Sequence, residues 1–278
     1  MEARLRLLGT GSSAGIPILG CSCKVCCSCK ANFSSKNKNI RTRSSLLISS
    51  GGKNLVIDTC PDFRYQMLRE GIDHLDSVIY THIHFDHISG FDDIRAYSFW
   101  DSYSTIDVYI PDMMYELFLT RYSYFLGKNI SYKGTCPRVA IRKLPTPKTC
   151  SSILSFHLDC FDIDVEYFCF KHSNTDVFAY RFGRFLYLTD FKYLDSKIVD
   201  QLKGKIDFAV ISGINFKKEH FIHSTIDETQ ELLDKLQVNK AVITHICHDV
   251  DYYDPDNIHR LKSGVSLGYD GMSVDINM

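Results

Sequence analysis

Period-two alternation opens the chain. RLRLLG (4–9) sets polar and apolar side chains on opposite faces, as a strand facing a sheet edge does. It runs into the glycine-rich stretch GTGSSAG. SSLLISS (44–50) and NLVIDT (54–59) flank Gly-Gly-Lys and predict a β-hairpin. SVIYTH (77–82) is short and mostly apolar, suited to a buried strand. IDVYIP, FDIDVEYFCF, DVFAYRFG and RFLYLTD predict further strands. Helical patterns fall at 61–70, 112–126, 226–237 and 254–262, with Asp227 and Glu228 placed for the first turn of the third, where acids suit the helix dipole. KANFSSKNKNIRTRSS (30–45) is polar and basic and predicts an exposed loop. Asp92 to Tyr132 is rich in Tyr and Phe, which predicts core and helix packing, with a substrate-side lid or a subunit interface as the sharper alternative. No repeat interrupts the pattern. It predicts one α/β domain over residues 1–278, layered from sheets with helices outside.

Composition narrows the function classes. The 278 residues carry a net charge of -1, which gives no electrostatic reason for nucleic-acid binding as a main task. MEARLRLLGTG lacks the apolar run of a signal peptide, and no stretch approaches the roughly 18 apolar residues of a membrane span. The expectation is a cytoplasmic protein without a membrane partner. That bears on CSCKVCCSC (21–29), which holds five of the eleven cysteines. In a reducing compartment, close thiol spacing points to metal or redox chemistry before disulfides. Three readings compete: a metal clamp, a disulfide staple, or small buried packing residues. The odd cysteine count weakens the staple.

THIHFDH (81–87) offers His82, His84, Asp86 and His87. Period-two spacing puts His82 and His84 on one side of an extended segment, and a turn can aim Asp86 and His87 at a second ion. Imidazole and carboxylate are ligands that zinc, manganese and iron accept. Partners appear at the ends of other apolar runs: His172 after VEYFCF, Asp190 in YLTD, His245 in VITH. Singly these read as a hydrogen-bonded histidine or a helix cap; beside THIHFDH the ligand reading prevails.

HxHxDH followed by separate His, Asp and His resembles the metallo-β-lactamase superfamily. GTGSSAGIPILGCSCKVC, THIHFDHISGFDDIR, HSTIDE, THICHD and the terminal YDG are similar to its PhnP-type phosphodiesterase branch, in order and over nearly the whole chain. The resemblance implies an αββα sandwich, two mixed β-sheets flanked by helices. It implies two catalytic ions, manganese or zinc: His82, His84 and His172 at the first, Asp86, His87 and His245 at the second, Asp190 bridging. Asp58, ending NLVID, matches an acid that orients a ligand, as ligating histidines usually need. His223, in HFIHSTIDE, matches a histidine beside the substrate phosphate, as general acid or phosphate ligand; His220 is a weaker candidate. Cys21, Cys23 and Cys26 match three thiolates of a structural zinc clamp closed by His248. Cys27 and Cys29 depart from the branch pattern, leaving a set Cys23, Cys26, Cys27 and Cys29 conceivable, with Cys247 a lesser candidate.

These matches imply hydrolysis of a small phosphodiester, such as a cyclic ribose phosphate, by a metal-activated hydroxide. RNA 3′-end processing is the alternative hydrolase; it wants a basic arm, and only the short stretch from Lys36 to Arg43 offers one. Iron-dependent persulfide oxidation is the oxidoreductase alternative, and a thioester substrate remains open. GTGSSAG lacks both the Walker ending and the dinucleotide spacing, so it predicts a tight turn near the site, with phosphate contact open. Asp92, Asp93 and Arg95 are expected to brace the helix after the metal loop. Relatives often form dimers, so a homodimer is expected.

Overall fold

A computed structural model describes residues 1–34, 36–100, 105–126, 138–216 and 219–278, without the side chains of residues 99, 100 and 125. The strands are β1 (Glu2–Gly9), β2 (Ser45–Ser50), β3 (Lys53–Ile57), β4 (Ser77–Ile79), β5 (Ile106–Pro111), β6 (Val139–Leu144), β7 (Leu154–Leu158), β8 (Ile163–His172), β9 (Thr175–Phe182), β10 (Phe185–Leu188), β11 (Phe208–Ser212), β12 (Ala241–Thr244), β13 (Val265–Leu267) and β14 (Ser273–Asn277). The helices are α1 (Lys24–Ala31), α2 (Phe63–Glu70), α3 (Phe85–Ile88), α4 (Arg95–Trp100), α5 (Asp112–Arg121), α6 (Ser123–Leu126), α7 (Ser196–Leu202), α8 (Ile226–Leu236) and α9 (Pro255–His259), with a 3-10 turn at Phe91–Ile94.

Two seven-stranded mixed sheets form, ordered β14-β1-β2-β3-β4-β5-β6 and β13-β12-β11-β10-β9-β8-β7. Each is antiparallel at one end and parallel at the other: β3 to β6 run parallel, as do β10 to β13. One apolar core joins the sheets, with Leu5, Leu7, Leu47 and Val56 from the first meeting Tyr167, Phe178, Tyr180 and Val210 from the second. A second core packs α7 and α8 onto the second sheet through Ile198, Leu202, Leu233 and Leu236. Helices α2 and α5 cover the first sheet through Phe63, Met67 and Phe118. This is the αββα sandwich. The capping box of α8, Thr225 with Glu228, explains why HSTIDE starts a helix where it does.

Three expectations need correction. β1 is not an edge strand: β14 and β2 flank it. The alternation arises because Arg4 and Arg6 reach outward to Asp275 and Glu70. The stretch 30–45 is not an exposed loop throughout. Asn37, Asn39, Arg41 and Ser44 are buried, because Arg41 bridges to Ile16 and Arg43 to Gly11. The Cys-rich loop at 20–30 is partly helical, since α1 begins inside it, with the Cys23 thiol accepting from the Cys26 N–H at its start. The aromatic stretch does pack as core where described: Phe91, Phe118 and Tyr122 are buried with ring centroids 4.8–4.9 Å apart. Residues 101–104 and 127–132 of it lie outside the described residues. Among the described residues, no helix is long and apolar enough to cross a membrane.

Candidate metal centre

Parallel strands deliver their C-terminal ends to one edge, where ligands bind in open α/β sheets. Asp58 follows β3, Asp190 follows β10 and His245 follows β12. All three adopt left-handed backbone conformations, with φ of 65°, 55° and 56°. A non-glycine residue pays of order 1–2 kcal/mol for that. The bend turns each side chain off its strand axis into the crevice. THIHFDH emerges from β4, and the α3 turn swings Asp86 and His87 back over it. His172 ends β8. Asp58, His82, Asp86, His87, His172, Asp190 and His245 are all buried; His84 is half-buried at the open side.

Hydrogen bonds orient the imidazoles. The Thr81 hydroxyl donates to Asp58 Oδ2 at 2.7 Å, so it accepts from His82 Nδ1 at 2.9 Å. That leaves the His82 Nε2 lone pair facing inward. His87 Nδ1 donates to Asp58 Oδ2 at 2.7 Å, freeing Nε2 likewise. His84 Nε2 meets Thr175 Oγ1 at 3.2 Å, leaving Nδ1 inward. The inward His82 Nε2 and His84 Nδ1 then stand 3.0 Å apart. A cation held between these two nitrogens would take a lone pair from each. The buried His87 Nε2, His223 Nδ1 and both His245 ring nitrogens find no hydrogen-bond partner among the described residues.

Neighbouring donor atoms fall at coordination spacings. His87 Nε2 lies 3.3 Å from Asp86 Oδ2 and 3.2 Å from Asp190 Oδ2. His245 Nε2 lies 3.1 Å from Asp190 Oδ1 and 3.7 Å from Asp86 Oδ2. Ligands at ~2.0–2.2 Å from a tetrahedral ion would sit roughly 3.4 Å apart. The donors cluster within 4.8 Å as His82, His87 and Asp190; as Asp86, His87 and His245; and as His172, Asp190 and His223. His223 thus enters the same constellation, its Nδ1 3.6 Å from Asp190 Oδ1.

Electrostatics suit ligation. Burial holds His82, His84 and His172 below the ordinary histidine range, so they are neutral with lone pairs available. Burial pushes His223 down to about 3. Burial also works against the charges of Asp190 and Asp86, but His245 and His87 around the first and His87 beside the second win, holding both carboxyls below the usual range. At Asp58 burial prevails and raises it, despite His87. At His87 burial works against the charge, but Asp86, Asp190 and Asp58 outweigh it and hold the ring above the ordinary histidine range. The centre thus sets the neutral imidazoles of His82, His84 and His172 beside anionic carboxylates that attract positive charge, which divalent cations fit.

The thiols form a separate cluster. His248 Nδ1 lies 3.2 Å from Cys21 Sγ, 3.4 Å from Cys23 Sγ and 3.7 Å from Cys26 Sγ. With zinc–sulfur near 2.3 Å and zinc–nitrogen near 2.0 Å, a tetrahedral edge is roughly 3.5 Å. Backbone N–H groups of Cys23, Cys26 and Ile18 point at the three sulfurs, as suits thiolates. The Cys23 N–H holds Cys21 below the ordinary thiol range, while burial pushes Cys26 up to about 12, so a cation is what would deprotonate it. Cys27 is exposed and Cys29 is packed with Ile16 and Val25; neither joins the cluster. Cys247 Sγ turns to Asp249 Oδ2 at 3.8 Å.

Sequence reading missed the holders. Thr81, Thr175 and Thr189 orient ligands by hydroxyl contacts, and an isolated threonine carries no pattern to find. Asp270 of YDG is partly buried and accepts from Thr10 N and Oγ1 and from Thr42 N and Oγ1, fixing the GTG turn. Gly11 is needed there because a Cβ would come within 2.9 Å of the Arg41 and Thr42 carbonyl oxygens. Arg95 pairs with Asp92 at 3.5 Å on the 3-10 turn.

The β-lactamase superfamily domain description fits residues 53–246. The chain belongs to the metallo-β-lactamase superfamily. A solved structure described as a new diphosphatase from the PhnP family shares 30% identity, covers 99% of this chain and 98% of that one, and superposes with a TM-score of 0.82. This metallo-β-lactamase superfamily protein is therefore a PhnP-type hydrolase. Zinc-bound PqqB from Methylobacterium extorquens, at 16% identity, 98% and 100% coverage and TM-score 0.70, shares the fold. An octanoyltransferase of Porphyromonas gingivalis is 32% identical over 275 residues, 99% of this chain and 52% of that protein. The chain thus spans about half the length of that relative.

Proposed function

We propose that this hydrolase is a phosphodiesterase with a dinuclear centre, acting on a small phosphodiester. The observation that carries the reading is Asp190, whose carboxylate lies within 4.8 Å of donor atoms of His82 and His172, from one set, and 3.1 and 3.2 Å from His245 and His87, from the other. A carboxylate so placed belongs to two ligand sets: His82, His84 and His172 on one side, Asp86, His87 and His245 on the other. Two divalent ions, zinc or manganese, would supply an acidified water and neutralise phosphate charge. The chain's own residues do the rest. Asp58 keeps a His87 proton on Nδ1, and Thr175 contacts His84 Nε2 so that Nδ1 faces inward. His223 stands beside Asp190, neutral until an anion arrives. A phosphate's charge favours its protonation, so it can donate to a phosphoryl or leaving oxygen. His248 and the three thiols would hold a structural zinc beside His245.

The test is hydrolysis by manganese- or zinc-loaded protein of cyclic ribose phosphates, cyclic nucleotides and a tRNA precursor, each beside His84→Ala. Turnover of a small phosphodiester that His84→Ala abolishes supports the reading. The Porphyromonas gingivalis relative, of which this chain matches about half, is named an octanoyltransferase, and a second reading is hydrolysis of an octanoyl thioester. An octanoyl thioester therefore belongs in the panel, and turnover of it alone would displace the first.

A further inference from the structure

His220 lies one step outside the constellation and no ligand set uses it. Its Nδ1 accepts the backbone N–H of His223 at 3.2 Å, and the two rings stand 5.1 Å apart. An acceptor Nδ1 on a neutral ring leaves the proton on Nε2. Among the described residues nothing accepts from that Nε2, and the ring is only partly buried. The site therefore presents a second donor beside His223, one ring further along. Lys192, whose ammonium is held by Glu228 at 2.7 Å, lies within electrostatic reach of the same ring. Phe221, 98% exposed, and Tyr193, 73% exposed, stand beside these two residues in sequence.

A substrate with a single phosphoryl group offers acidic oxygens only where His223 and Asp190 already stand. A diphosphate diester carries a second phosphoryl group, whose oxygens extend away from the reacting phosphorus and match a donor placed one ring further out. We propose that His220 donates Nε2–H to the second phosphoryl group of a diphosphate diester, making it a specificity residue for that substrate class. The inference rests on the phosphodiesterase reading. The reaction is hydrolysis: water oxygen bonds to the attacked phosphorus, the P–O bond of the anhydride breaks, and the departing phosphoryl oxygen takes up the proton.

The experiment compares metal-loaded wild type, His220→Asn and His220→Gln on a dinucleoside diphosphate and on p-nitrophenyl thymidylate, which has one phosphoryl group. The asparagine amide keeps an acceptor near Nδ1 for the His223 N–H but removes the outward donor; glutamine places an amide N–H near Nε2. A hydrogen bond to a charged acceptor is at stake, so His220→Asn should lower kcat/KM on the diphosphate about 10–100-fold more than on the thymidylate, mainly through KM. His220→Gln should recover part of that difference. Equal losses on both substrates would mean that His220 only positions His223, and would overturn the proposal. So would wild-type turnover of the thymidylate without turnover of the diphosphate. Wild-type failure on both substrates would instead overturn the phosphodiesterase reading, and this proposal with it.

Discussion

Asp58→Asn isolates the smallest change that should disable the centre. The carboxylate is fully buried, and its Oδ1 accepts the Thr81 N–H at 2.8 Å. Oδ2 accepts both the Thr81 hydroxyl and His87 Nδ1–H, each at 2.7 Å. An isosteric amide can keep Oδ1 facing the Thr81 N–H, but its nitrogen then replaces Oδ2. The threonine hydroxyl can rotate and accept. His87 can avoid an N–H against an N–H only by moving its proton to Nε2, the atom that faces Asp86 and Asp190. A protonated Nε2 cannot bind metal. Loss of such an orienting partner costs about 10–100-fold in metal affinity, or about 1.4–2.7 kcal/mol. Competition with a calibrated chelator measures that affinity, and denaturation of the metal-free protein serves as the control for folding. Affinities within about threefold of wild type, in a variant that unfolds cooperatively, would refute the tautomer argument.

Asp190→Asn should empty both catalytic positions together, since its carboxylate clusters with His82 and His172 of one set and with His87 and His245 of the other; elemental analysis showing loss of only one ion would contradict the shared carboxylate. Cys23→Ser should release one zinc per chain and lower the unfolding midpoint while metal at the histidine centre persists, and an unchanged zinc content would remove the clamp. Glu228 bears on acid stability. Burial works against its charge, but Lys192 and the Thr225 N–H outweigh burial and hold it below the ordinary glutamate range. Its contribution is therefore full above the unfolded value near 4.3 and is lost as pH falls through the lower folded one. Glu228→Gln should cost about 0.5–1 kcal/mol at neutral pH, after allowance for solvent exposure, and flatten that part of the acid-denaturation curve; an unaltered pH profile would count against it.

The ligands were legible because metal chemistry restricts side-chain type and period-two spacing fixes direction. His82 and His84 needed no tertiary knowledge to be paired. His172, Asp190 and His245 were legible as polar residues closing apolar runs, a pattern created by strands that end at the crevice. The threonine holders were not legible, since a hydroxyl acts there through position alone. Nor was the burial of Arg41, whose polar neighbours mimic a surface loop while its backbone pairs with Ile16. The helix inside CSCKVCCSC was hidden because the thiol spacing announces its ligands more loudly than its backbone.

The two sheets share one plan, and neither contains the centre. Asp58 and THIHFDH come with the first sheet; His172, Asp190 and His245 come with the second. Donors so far apart in sequence meet only where both sheets are built and docked. Ions that bind the docked state alone act as a latch on the seam, adding stability that rises with the logarithm of free metal. Metal supply would then set not only how fast the protein turns over substrate but how long its two halves stay together.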